Sequence, residues 1–336
     1  TFGSKNSQVT MDVNLTKLTF IFMASSVGFV GFLMHAIDDY MPLLIRKTFR
    51  YGKSAEKKDH MLVNRLELPK RWFSHFYLFA APAASISLII VVNRYFFSGQ
   101  LPKIVRWLLN FQLGSSRKSL VPAEKCFTAI FLITIQCWKR LYETTRVSVF
   151  SNAKINISHY IVGYIHYIGT LTCILGESEG FINASQISFH WSNLTYLDYS
   201  CAFGFLSASY LQLLSNYILS NLRKDGKGAV VTKSYKIPRG GLFNYVTGAL
   251  QFTEITMYFM LTIILWRSST YHYVFLWVVI NQVHCLRFNE LVNNIFVHLN
   301  ILFNFQIQTA VDSDRWYRIY FKDYPENRKI CIPFIF

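Results

Sequence analysis

The chain has 336 residues, 52% hydrophobic, 17% aromatic and only 15% charged, with a net charge of +16 from 34 Lys and Arg against 18 Asp and Glu. A soluble domain carries about a quarter charged residues. The apolar residues gather in blocks close to the ~20 residues that cross a hydrocarbon core, so the chain reads as all-α and polytopic in a membrane rather than as a soluble enzyme. Its basic residues lie between those blocks, which speaks against nucleic acid as a partner and suits the positive bias of cytosolic loops.

Residues 1–10 are polar and precede Met11, so they read as leader or appended sequence, with 11–336 as one transmembrane domain. A first span is expected over about residues 18–37, followed by a connector with Arg46, Lys47, Arg50 and Lys53. Glu67 stands just before a second span over about 72–92. Residues 101–113 read as an interfacial amphipathic helix, Lys103 and Arg106 interrupting Ile104, Val105, Trp107 and Leu108. Span three starts near Cys126 and passes through Gln136 and Arg140, and span four covers about 157–175. The loop 176–195 holds the glycosylation-like triplets Asn183-Ala184-Ser185 and Asn193-Leu194-Thr195, a pattern frequent by chance. If used, they put this loop in the lumen. Spans five and six cover about 199–222 and 250–266, and an apolar block from Tyr271 brings the expected total to about seven. The six cysteines, Cys126, Cys137, Cys173, Cys201, Cys285 and Cys331, show neither CxxC nor Cys/His metal spacing. No metal and no disulfide framework is expected.

The Gly-rich dinucleotide fingerprint, the P-loop, HExxH and GxSxG are all missing. A nucleotide must then be held by membrane helices and loops. The stretch from Asn216 to Arg223-Lys224, then Tyr235-Lys236-Ile237-Pro238-Arg239-Gly240-Gly241, then Glu254, offers the parts. Arg and Lys neutralise phosphates, Arg bidentately. Tyr stacks on a ring or donates to ribose. A lone Glu within a span is costly unless paired, which makes Glu254 a functional candidate. Taken alone, these residues fit a structural turn with juxtamembrane cations better than a binding site.

The C-terminus runs Tyr317-Arg318-Ile319-Tyr320-Phe321-Lys322-Asp323-Tyr324-Pro325, then Asn327-Arg328-Lys329, and closes on Ile332-Pro333-Phe334-Ile335-Phe336. Upstream stand Arg50-Tyr51-Gly52-Lys53, Pro69-Lys70-Arg71-Trp72-Phe73-Ser74-His75-Phe76-Tyr77, Lys139-Arg140-Leu141-Tyr142-Glu143, Val147-Ser148-Val149-Phe150-Ser151-Asn152 and Asn221-Leu222-Arg223-Lys224. In order and spacing these strings resemble the steroid 5-alpha-reductase family from about residue 45 to the end, and within it the polyprenol (polyprenal) reductase branch of dolichol synthesis. The resemblance implies an NADPH-dependent, multi-pass enzyme of the endoplasmic reticulum membrane. It would reduce the alpha double bond of a long isoprenoid substrate and so supply the lipid carrier for protein N-glycosylation. It implies cofactor contacts from Tyr51, Asn216, Arg223, Tyr235, Lys236, Glu254, Tyr317 and Arg328. Glu67 matches the family's catalytic glutamate, expected to be raised in pKa by burial and to act near the carbonyl; its bland alternative is a charge paired with Arg65, Lys70 or Arg71. Gln136 is a second catalytic candidate as an oxyanion donor, with His75 and Tyr77 nearby at a span end.

Three positions depart from the pattern. Leu250 stands where the family usually has Asn, Cys137 where the steroid-reducing members have a catalytic Tyr, and Asp314 where a His is usual. Residues 283–306 also interrupt it, and read as an insertion or a splicing artefact. Three rivals remain: a 3-oxo-steroid 4-ene reductase, a membrane methyltransferase using S-adenosylmethionine, and a non-enzymatic receptor or channel.

Overall fold

The computed structural model describes residues 12–37, 40–49, 61–182, 187–232, 234–282, 314, 316–325 and 327–333. It is a helical bundle. Its elements are α1 (Leu15–Ala36), α2 (Leu43–Phe49), α3 (Met61–Arg65), β1 (Glu67–Pro69), α4 (Phe73–Phe96), α5 (Lys103–Leu113), α6 (Ala123–Tyr142), β2 (Lys154–Asn156), α7 (Ile157–Gly176), α8 (Tyr196–Asn221), α9 (Ala249–Ile264) and α10 (Tyr271–Gln282). Each expected span coincides with one of these helices, and the expected interfacial segment is α5. Tyr51, the triplet at Asn183 and residues 283–306 lie outside the described residues.

Local signals set the boundaries. Asn14 caps α1 by accepting from the Lys17 amide at 2.8 Å, and Asn156 caps α7 by accepting from the Ser158 amide at 2.9 Å. Thr195 and Asp198 form a reciprocal capping box at the start of α8. Asn193 Nδ2, the atom a glycan would join, donates to Glu124 Oε1 at 2.9 Å. Gly114 ends α5 with φ of +86°, a conformation that favours glycine, and a Cβ there would meet the Asp12 carboxylate. Gly176 lets α5 approach α7, since a Cβ would sit 1.8 Å from Leu113 Cδ1.

Helix α8 packs along α9, α4 between α6 and α7, and α10 between α1 and α9. Two helices, Leu15–Leu33 and Lys70–Phe96, are long and apolar enough to cross a membrane by length and composition. Helices α6 and α8 carry polar side chains instead, and these point inward. In α8, Ser209, Gln212, Asn216 and Ser220 are buried while Phe203, Leu206, Tyr210 and Leu214 are exposed. In α4, Ala80, Ala81, Ala84 and Ser87 are buried while Leu78, Ile86 and Ile89 are exposed.

One feature departs from the all-α expectation. Strands β1 and β2 pair antiparallel, Glu67 opposite Asn156 and Leu68 opposite Ile155. Three-residue strands leave no periodic trace in sequence. They clasp the start of α4 to the start of α7, aided by the Lys70 amide donating to Ala153 O at 3.0 Å.

The bundle therefore has two distinct ends. The Glu67 end gathers the clasp, the ends of α6 and α8 and the start of α9; Ser220 Oγ donates to Val147 O at 2.6 Å across it. The C-terminal segment docks here, with the Thr247 and Gly248 amides donating to Lys329 O and Ile330 O at 2.8 and 2.7 Å. The opposite end is organised by Glu177.

Candidate active site

Helix α8 carries Ser209, Gln212 and Asn216, then Ser220 and, just past its end, Arg223. The steps of three and four residues put them on one face. At 1.5 Å per residue the stripe runs roughly 21 Å. It joins two clusters.

The first cluster is buried among α4, α6, α8 and α9. Gln136 Nε2 donates to Gln212 Oε1 at 2.8 Å, and Ser209 Oγ donates to Gln136 Oε1 at 2.7 Å. Gln212 Nε2 donates to Glu254 Oε2 at 2.6 Å. Lys139 Nζ donates to Gln212 Oε1 at 2.7 Å and to Ser209 O at 2.9 Å, and pairs with Glu143 at 3.1 Å. Arg140 also pairs with Glu143, and its Nε donates to the Tyr77 hydroxyl at 3.1 Å. Two cations thus balance two carboxylates inside the bundle, which is the condition under which such charges are tolerated there. Gln136 and Glu254, picked separately from the sequence, meet through Gln212. Among the described residues the second N–H of Gln136 Nε2 has no acceptor.

The second cluster lies where the C-terminal segment docks. The Arg223 guanidinium donates to Val149 O and sits 5.5 Å from the Tyr235 ring, which meets Trp316 at 5.3 Å. Tyr317 stacks on Tyr324 at 5.4 Å and its hydroxyl donates to Lys236 O at 3.4 Å. Thr247 Oγ1 donates to Asp314 Oδ1 at 2.6 Å and shares a hydrogen bond with the Tyr324 hydroxyl at 2.7 Å. Burial pushes the Tyr317 phenol up to about 12 and also raises Tyr324, which stay neutral donors. Arg223, Tyr235, Lys236, Tyr317 and Arg328 are therefore brought together, although Lys236 takes part through its backbone and its side chain is exposed.

Whether a dinucleotide phosphate fits turns on the partners the cations already have. Arg328 is 4% exposed, yet its contacts are the Tyr324 hydroxyl at 3.4 Å and the Tyr324 ring at 4.9 Å. Its Nε is buried without a hydrogen-bond partner. Among the described residues no carboxylate pairs with Arg223 or Arg328, whereas Arg318 has Asp314 at 2.6 Å. Asn216 Nδ2, on the stripe between the clusters, is likewise buried and unpartnered. Buried polar atoms are nearly always satisfied. Orphan donors on one guanidinium, Arg328, and one amide, Asn216, suit an anionic, polar ligand. Asp314, one of the departures, is accounted for by its bonds to Thr247 and Arg318.

Among the described residues Glu67 shares no hydrogen bond or ion pair with either cluster. Its Oε2 pairs with Lys154 at 3.4 Å, not with Arg65, Lys70 or Arg71. Lys154 lies diagonally across the clasp, two residues from Asn156, which stands opposite Glu67. Sequence reasoning did not single out Gln212, Lys139 as a network member, or Thr247. The spacing 209-212-216-220-223 was the available signal for Gln212.

Known proteins resemble this chain along nearly its whole length. The family described as 3-oxo-5-alpha-steroid 4-dehydrogenase matches residues 170–298 and 283–336. A polyprenal reductase of Drosophila melanogaster is 34% identical over 96% of this chain and 94% of its own length. The chain belongs to the steroid 5-alpha-reductase family. Polyprenal reductases of Caenorhabditis elegans and Homo sapiens are 28% and 24% identical, covering 87% of the chain and 87% and 86% of their own lengths. The branch expected from the sequence strings is the one these relatives represent. The two family matches overlap over residues 283–298, within the stretch that interrupts the pattern.

Proposed function

We propose that this chain is an NADPH-dependent polyprenal reductase, a multi-pass protein of the endoplasmic reticulum membrane that saturates the alpha double bond on the route to dolichol. The observation that carries this is the polar stripe of α8, linking a buried amide–carboxylate network to two arginines that have no carboxylate partner among the described residues, in a chain similar over nearly its full length to polyprenal reductases. Arg223 and Arg328 would neutralise the phosphates, and Tyr235 and Tyr317 would flank the dinucleotide. Asn216 and Glu254 would receive its sugar and amide groups further into the bundle. When bound, the cofactor supplies hydride to the beta carbon of the conjugated aldehyde. Charge then builds on the carbonyl oxygen. The second N–H of Gln136 and the carboxyl group of Glu67 are our candidates to meet it. Tyr51 belongs to the proposed cofactor set by resemblance.

Membrane embedding is supported by the large apolar side chains that α4 and α8 leave exposed, Leu78, Ile86 and Ile89 on one and Phe203, Leu206 and Leu214 on the other, while small residues such as Ala80, Ala84 and Ala208 are buried. Small residues let helices approach in lipid, where large apolar ones need no cover. Cys137 in place of Tyr disfavours a steroid substrate. Residues 283–306 we read as an insertion from gene structure; a mature transcript that encodes them would refute this.

The test is conversion of polyprenal by membranes of reductase-deficient cells expressing the chain, read by mass spectrometry. NADPH-dependent gain of two hydrogens at the alpha double bond is expected. A well-expressed protein that yields no product, with 283–306 present or deleted, would overturn the assignment.

A further inference from the structure

Saturating a conjugated double bond needs a proton at the alpha carbon as well as a hydride at the beta carbon. That donor is distinct from the groups that meet the carbonyl oxygen. The buried cluster holds several acidic hydrogens, and most are committed. The three ammonium hydrogens of Lys139 go to Gln212 Oε1, Ser209 O and Glu143, at 2.7, 2.9 and 3.1 Å. The Tyr258 hydroxyl is tied to His166 Nε2 at 2.7 Å. His75 Nδ1 is tied to the Tyr160 hydroxyl at 3.0 Å. Glu254 already accepts from Gln212.

Tyr77 differs. Its hydroxyl oxygen accepts from Arg140 Nε at 3.1 Å, and the same guanidinium lies 4.9 Å from its ring centroid. Among the described residues no acceptor takes its own hydrogen; the Tyr167 ring lies 5.5 Å away, centroid to centroid. Through Arg140, Glu143 and Lys139, Tyr77 is linked to Gln212, and so to Gln136 and Glu254. A cation donating to a phenol oxygen polarises its O–H and steadies the phenolate left behind.

We propose that Tyr77 gives its hydroxyl proton to the alpha carbon of the substrate, and that Arg140 holds the resulting phenolate. This rests on the reductase function proposed above. The step balances: reduced nicotinamide supplies the hydride that forms the beta C–H bond, and the electron pair of the double bond shifts to the enolate. The alpha C–H bond then forms as the Tyr77 O–H bond breaks, and water returns the proton to Tyr77. Arg140 is a positioning residue; Tyr77 is the catalytic one.

The test uses full-length protein in lipid, with polyprenal and NADPH. Y77F keeps the ring over Arg140 and removes the hydroxyl. It should bind NADPH as wild type does while kcat falls about 100-fold or more with KM nearly unchanged, as loss of a general acid predicts. Y77F with kcat within twofold of wild type would overturn the assignment of Tyr77 and leave the reductase function standing. A wild-type protein that binds no NADPH and reduces no polyprenal removes both. Should Y77F lose NADPH binding, 3-fluorotyrosine at position 77 decides. It keeps shape and hydroxyl but is a stronger acid, so the alkaline limb of the kcat profile should move to lower pH. An unmoved limb would overturn the proposal.

Discussion

Glu177 and Arg328, at opposite ends of the bundle, handle charge in opposite ways. At one end the Glu177 carboxylate, 3% exposed, accepts from Ser268 Oγ, the Ser269 amide and hydroxyl, and the Thr270 amide and hydroxyl, at 2.5 to 3.2 Å. It thereby caps the start of α10. Arg117 at the same end donates to the carbonyls of Gly114, Gly176 and Phe181 at 2.8, 2.7 and 3.1 Å. At the other end Arg328 is as deeply buried, but its Nε has no partner and no described carboxylate faces it. An ion whose bonds the protein completes holds the fold together. An ion that the protein buries and leaves incomplete costs stability, and we propose that Arg328 is kept for the dinucleotide.

The largest effect expected is at the completed end. E177A removes the acceptor of five donors and should lower unfolding stability by about 3 kcal/mol or more, read as a fall in Tm. NADPH affinity of the protein that remains folded should be unchanged. R328M should do the reverse. Stability should hold or rise, because an unpaired buried cation is removed, while the NADPH Kd rises about 30–100-fold, a loss of ~2–3 kcal/mol. A matched loss of Tm and affinity in R328M would collapse the distinction between the ends. R223K keeps the charge but loses the planar contact with Tyr235, so the Kd should rise about tenfold. E67Q should shift stability by less than about 1 kcal/mol, since its ion-pair partner Lys154 is exposed. A fall in kcat at that small cost would assign Glu67 to chemistry rather than to the clasp. The smallest effect is on pH. Tyr317 is raised above its ordinary value of 10 to about 12, so the proton it keeps when docked is lost more readily by the unfolded chain. The C-terminal docking it supports is fully present below pH 10 and weakens between pH 10 and about 12, seen as easier proteolysis of the C-terminus.

Much of this was legible in the sequence, for identifiable reasons. Long apolar blocks gave helix positions within a few residues, while the caps Asn14, Asn156 and Thr195 that set the boundaries were not singled out. Arg223, Tyr235, Tyr317 and Arg328 could be placed in one site only through resemblance, because the docking of residues 314–333 onto Thr247 and Gly248 has no local signal. Gln212 was passed over because a lone amide in an apolar block also serves to hold helices together. The β1–β2 clasp, and with it the Lys154 partner of Glu67, depends on two loops meeting across more than 80 residues, which no periodicity encodes.

The account turns on the claim that the end with incomplete cations holds the dinucleotide. Photolabelling of the full chain in lipid with an azido analogue of NADP, followed by peptide mapping, tests it most directly. Label that NADPH competes away, on peptides containing Tyr235 and Tyr317, is the predicted result. Competed label on peptides around Trp191 and Ser268, at the Glu177 end, would contradict it.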